Sequence, residues 1–245
     1  MSRATIDKPT SQRLIFLDEI RGFTIISMVL FHAAYDAAYI YGFDLPLFEN
    51  PTIQSIWRSS ISWVFLLLAG WMTAYSRNNI RRSIRYAICA LLVFVVTAIA
   101  SVDTVVNFGI LFCMACCTAI YALIGKKLRS IPPIPGLIVA LLLFFLTYSI
   151  PLSRYPVEGF AWLGFPSPTF SSGDYYPLVP YCFMYFAGAF AQSSFNKTFQ
   201  DEPPAFMVKT HCSILAKIGT RSLIIYLAHQ PLVIMIFEIA RLFAS

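Results

Sequence analysis

Apolar runs of about twenty residues recur along this chain, each closed by a short polar loop, and that repeat limits the fold more than any single residue does. An α-helix rises about 1.5 Å per residue, so about 20 apolar residues span the roughly 30 Å hydrocarbon core of a bilayer. Hydrophobic residues make up 58% of the chain and charged ones only 12%, against about 25% charged in a soluble domain. A soluble fold of this composition would expose large apolar patches, whereas lipid solvates them. The pattern predicts an all-α, polytopic transmembrane bundle of about seven helices.

The spacing places these helices at about Leu17 to Tyr41, Ile56 to Ser76, Tyr86 to Ser101 and Thr104 to Gly125. A fifth follows the Pro132, Pro133 and Pro135 cluster and ends near Pro151, because proline breaks a helix interior. A longer polar and aromatic loop reaches Tyr176. A sixth helix then runs to about Gln192, and a seventh from near Lys217 towards the C-terminus. Residues 1–14 read as a polar leader and 15–245 as a single transmembrane domain. The first apolar run opens with Asp18, Glu19 and Arg21, unlike the uniform core of a cleavable signal.

Loop charges alternate. Arg3, Lys8 and Arg13 precede the first helix, Asp44 and Glu49 follow it, and Arg77, Arg81, Arg82 and Arg85 come next. Asp103, then Lys126, Lys127 and Arg129, continue the pattern, and Lys197, Lys209, Lys217 and Arg221 close it. The positive-inside rule puts the N-terminus in the cytoplasm and the C-terminus outside. The net charge of +6 is therefore a topology signal, and no nucleic-acid partner is expected. Asn196-Lys197-Thr198 falls on the inner side and is discounted as a glycosylation acceptor. Of the six cysteines, all but Cys212 lie in apolar runs, which argues for packing rather than disulfides. Cys113, Cys116 and Cys117 have no acid or histidine on their helix, and no metal is expected.

Chemistry concentrates in the first helix, LDEIRGFTIISMVLFHAAYDAAY. An ionisable side chain at the centre of a spanning helix costs about 2.5 to 3.5 kcal/mol on insertion scales, so such residues tend to line a pathway or cavity. Eleven steps from Arg21 to His32 leave a rotation of only about 20°, and Asp18 and Asp36 fall about 40° to one side. With Tyr35 and Tyr39 these form one polar stripe, while Glu19 points elsewhere. Asp36 stands one turn after His32, where a carboxylate is expected to orient the imidazole. The plain alternative is a stripe that only packs against other polar helices, where each hydrogen bond contributes about 0.6 kcal/mol on average.

The seventh helix carries a second constellation. Ser222, Tyr226 and His229 follow at spacings of four and three and share a face, with Gln230 and Pro231 beside them. His211, in a cytoplasmic loop, reads as solvated. The arginines at 77, 81, 82 and 85 read either as topology markers on anionic headgroups or as a phosphate site, since guanidinium forks match phosphate oxygens. Asp174 either caps the sixth helix or projects into an outer vestibule.

The stretch LDEIRGFTIISMVLFHAAYD resembles the opening helix of the heparan-α-glucosaminide N-acetyltransferase catalytic-domain family, and Arg21 and His32 match an arginine-ten-histidine spacing seen in related membrane acyltransferases. VFLLLAGW, NFGILFCMACC, DYYPLVPYCFMYFAGA and IGTRSLIIYLAHQPL extend the likeness in order over about residues 14 to 236. Phe112 and Tyr181 depart from it, standing where a polar residue and a tryptophan are common.

The resemblance implies transfer of an acetyl or acyl group from cytoplasmic acetyl-CoA, as co-substrate, to an amine or hydroxyl of a sugar- or glycolipid-like acceptor. On this reading His32 and Asp36 are catalytic, and Arg21, Asp18, Arg77, Arg81 and Arg82 bind the donor. Tyr35, Asn107, Asp174, Tyr226, His229 and Gln230 meet the acceptor. The bilayer is the permanent partner, in a plasma or inner cell membrane, and a homo-oligomer stays open. The rival reading is a non-enzymatic carrier or a proton or solute pathway.

Overall fold

The computed structural model describes residues 13–200 and 202–244, so nearly all of the polar leader lies outside the described residues. All regular structure among them is helical. The long helices are α1 (Ile15–Tyr39), α3 (Pro51–Trp71), α4 (Asn79–Ala100), α5 (Ile110–Arg129), α6 (Pro133–Thr147), α7 (Leu178–Phe199) and α10 (Ser222–Ala244). Shorter ones are α2 (Pro46–Glu49), α8 (Ala205–Val208) and α9 (Ser213–Thr220).

The seven long helices occupy the seven expected segments. Five described segments are long and apolar enough to cross a bilayer: Ile15–Ile40, Asn79–Ala100, Ile110–Arg129, Pro133–Leu152 and Ser222–Phe243. α3 and α7 are of similar length but more polar, and they pack on each other in the middle of the bundle. Helices enclosed by protein need not be as apolar as those facing lipid. The chain forms a helical membrane bundle.

Boundaries differ from expectation where capping decides them. The Asn50 side chain accepts from the Thr52 and Ile53 amides and Pro51 fills the first turn, so α3 starts five residues early. Asn78 caps α4 at the Arg81 amide, which draws Arg81, Arg82 and Arg85 out of the loop and onto the helix. At the other end α5 begins only at Ile110, leaving Asn107 in the preceding linker. The last helix is interrupted at Arg221, which separates α9 from α10.

Two glycine contacts set the central spacing. A Cβ on Gly22 of α1 would stand 2.0 Å from the Leu215 carbonyl oxygen of α9, and one on Gly70 of α3 would stand 1.8 Å from that of Tyr185 on α7. Backbones approach this closely only where there is no side chain, as in other membrane helix pairs. Cross-links then mark the two ends. Near the start of α1, Glu19 accepts from the His211 and Cys212 amides at 2.7 and 2.8 Å, pinning the start of α9. Glu19 also meets His211 Nδ1 at 3.1 Å, so His211 is tied to α1 rather than simply solvated. At the opposite end Tyr41 donates to Glu238 at 2.9 Å.

Candidate functional site

The α1 stripe begins with a neutralised carboxylate. Asp18 is only 7% exposed and accepts from Arg21 at 2.9 Å and from Arg13 at 2.7 and 2.8 Å. A buried carboxylate needs such partners, and here they hold Arg21 in a defined place. Asp18 is thus an anchor for Arg21 and lines neither of the two cavities described below.

Arg21 opens onto a cavity of about 370 Å³ at the basic end, with Arg82, Arg85, Tyr75, Tyr86 and Tyr226 also on its wall. Positions 82, 85 and 86 are three and four residues apart and share one helical face. Arg81 and Arg77, expected among the donor ligands, are absent from this wall. Arg81 sits about 100° round α4 from Arg82, and Arg77 precedes the helix. Both are exposed.

Arg82 is the most constrained of the wall cations. Its Nη2 donates to the Ala69 carbonyl at 2.9 Å and its Nε to the Tyr86 hydroxyl at 3.2 Å, while its Nη1 is buried with no partner among the described residues. Buried donors are rarely left unpaired, and among the described residues none supplies an acceptor for this nitrogen.

Deeper in the bundle two imidazoles meet. The ring centroids of His32 on α1 and His229 on α10 are 4.8 Å apart. His229 is 8% exposed, its Nδ1 bonds the Tyr226 carbonyl oxygen, and its Nε2 has no partner among the described residues. Asp36 is fully buried, and both its carboxylate oxygens accept from Gln230 Nε2, at 2.9 and 3.0 Å. The expected Asp36–His32 bond is therefore replaced by a bond across to α10. The 40° between the two side chains turns Asp36 towards the neighbouring helix instead of its own imidazole. Tyr35 lies against Tyr39 and interacts with Asp103 from the α4–α5 linker.

A second cavity, of about 530 Å³, runs between α4 and α5 and is largely apolar. Asn107 lines it, and it shares Leu111 and Tyr226 with the first cavity. Tyr226 is the one expected acceptor-binding residue on both walls, and it joins them to the imidazole pair through its carbonyl. His32 and His229 line neither wall.

Asp174 caps α5 instead of the following helix, accepting from the Ile110 amide at 3.3 Å. Burial pushes its carboxyl up to about 6, against the opposing pull of that amide and of the Arg58 charge. Arg58, on α3, is not among the site residues that the sequence singles out. Its signal is the same as for the α1 stripe, an ionisable residue inside a helix of membrane length, but it sits close to the expected helix start and reads there as an interfacial residue.

An arginine-walled cavity thus lies at one end of the bundle, with a buried imidazole pair beyond it. The model of the family described as heparan-alpha-glucosaminide N-acetyltransferase, catalytic, matches residues 13–231. The chain belongs to that family, a family of membrane acetyltransferases, and is an integral membrane protein. No curated protein and no solved structure matches it.

Proposed function

We propose that this protein transfers an acetyl group from cytoplasmic acetyl-CoA to an amine or hydroxyl of a sugar-like acceptor. The single observation that carries the reading is the unpartnered, buried Nη1 of Arg82 on a wall shared with Arg21 and Arg85. Three guanidiniums around one cavity match the phosphates of CoA, for which arginine's planar fork is suited. The positive-inside rule assigns this basic end to the cytoplasm, where acetyl-CoA is made available, in a plasma or inner cell membrane. Asp18 holds Arg21, and the thioester arm runs past Tyr226 towards His32 and His229. Asp36 acts through Gln230, positioning α10 against α1. Tyr35, Asn107 and Asp174 stand towards the acidic end, from which the acceptor approaches. Arg77 and Arg81 serve at the surface, on anionic headgroups.

The test is acetyl-CoA binding and CoA release by the purified protein over a panel of amino sugars. Arg82→Gln and Arg85→Gln should each weaken acetyl-CoA binding about tenfold, the size of one charge-assisted contact. Arg81→Gln should leave it unchanged. Equal effects of all three, or no acetyl-CoA binding by the wild type, would overturn the reading.

A further inference from the structure

We propose that His229, rather than His32, is the base of the transfer site, with its Nε2 taking the proton of the attacking acceptor. This rests on the acyl-transfer reading above and assigns a role within it.

The tautomer carries the argument. A carbonyl oxygen has no proton to give, so the bond between His229 Nδ1 and the Tyr226 carbonyl requires the hydrogen to be on Nδ1. In the neutral ring Nε2 then holds the free lone pair, a state fixed by the bond its partner nitrogen makes. That Nε2 is buried, and nothing among the described residues donates to it. Buried polar atoms in this state are uncommon, and a general base awaiting its substrate is one physical reason for one. His32 has no comparable constraint. Its ring meets Phe31 edge-on at 5.8 Å and His229 at 4.8 Å, and no hydrogen bond fixes its tautomer among the described residues.

The surrounding contacts hold the base still. Gln230, the next residue, takes both oxygens of Asp36, which locks α10 to α1 one turn beyond His32. Tyr226 reaches both cavities, so the carbonyl that sets the tautomer belongs to the residue that joins donor and lateral spaces. His32 on α1 and Tyr226 on its own helix flank His229, Asp36 bonds the adjacent Gln230, and Asp174 and Tyr176 lie near Tyr226.

The acceptor nitrogen or oxygen bonds to the thioester carbonyl carbon while its proton passes to His229 Nε2. His32 donates an N–H to the carbonyl oxygen as charge gathers there. The carbon–sulfur bond then breaks, and the CoA thiolate takes the proton back from Nε2, leaving neutral imidazole and free CoA thiol.

The experiment uses the full-length protein in proteoliposomes, with acetyl-CoA and an amino-sugar panel beginning with glucosamine. His229→Asn keeps a side-chain amide for the Tyr226 carbonyl but removes the lone pair, and His229→Gln is the second variant. The expected result is a loss of at least about 10²-fold in CoA release, the usual contribution of a general base, with acetyl-CoA affinity within about twofold of wild type. The rising limb of the pH–rate profile should vanish in the same variants. Rates within a few-fold of wild type overturn the assignment. So does a rate loss accompanied by lost acetyl-CoA affinity in both variants, which marks a structural histidine. A wild-type protein inert towards acetyl-CoA removes the parent reading and this one together, whereas an active wild type with an unimpaired His229→Asn removes this one alone.

Discussion

Gln230 Nε2 lies 2.9 and 3.0 Å from the two carboxylate oxygens of Asp36, one helix to the next, where an intrahelical partner for His32 was expected. A fully buried carboxylate in such an arrangement depends on its donor. Gln230→Ala should therefore cost about 1.5 to 3 kcal/mol, as hydrogen bonds to charged groups do, and Asp36→Asn clearly less, since an amide needs less compensation. Thermal midpoints in detergent measure both. A larger loss in Asp36→Asn than in Gln230→Ala would contradict the pairing.

Gly70 tests the central packing. Its Cβ would meet the Tyr185 backbone, which has nowhere to retreat. Gly70→Ala should destabilise the protein by about 1 to 3 kcal/mol, the range for overpacked interiors, and it should broaden gel filtration. An unchanged melting profile would mean that α3 and α7 are less closely apposed.

Asp174 gives a pH dependence with a definite sign. Its folded value of about 6 exceeds the ordinary 3.8, so the native state binds the extra proton between these values. Its contribution is full below about 3.8 and is lost as pH rises through about 6, because stability falls with pH wherever the native state holds more protons. Hydrogen exchange at the start of α5 should quicken across that window, and Asp174→Asn should flatten the response. A flat wild-type response would count against the buried cap.

On the proposed reading His32 serves the transfer site as the donor to the oxyanion, with the base assigned to His229. His32→Ala should lower CoA release by about 10² or more, the cost of removing a donor to a developing oxyanion, while membrane insertion and acetyl-CoA binding persist. Near-normal turnover would place the chemistry away from this pair.

Much of this molecule was legible as a string. Apolar runs of bilayer length and proline breaks are local properties, and they marked the seven helical segments. The α1 stripe was equally readable, since 3.6-residue periodicity alone brings Arg21, His32 and Asp36 to one side. Cap positions were less so. Starting α4 seven residues early turned Arg82 and Arg85 into cavity walls and left Arg81 outside.

What the order of residues determined by itself was a membrane bundle with ionisable groups on one face of its first helix, because hydrophobicity and helical phase act within a segment. Which partners those groups take was decided only by tertiary structure. Asp36 choosing Gln230, Glu19 choosing the start of α9, and Tyr226 standing between two cavities all join residues far apart in the chain. Such choices follow from how closely helices approach and how they rotate against each other, and glycine contacts such as Gly22 on Leu215 set that distance. No periodicity within a segment encodes it.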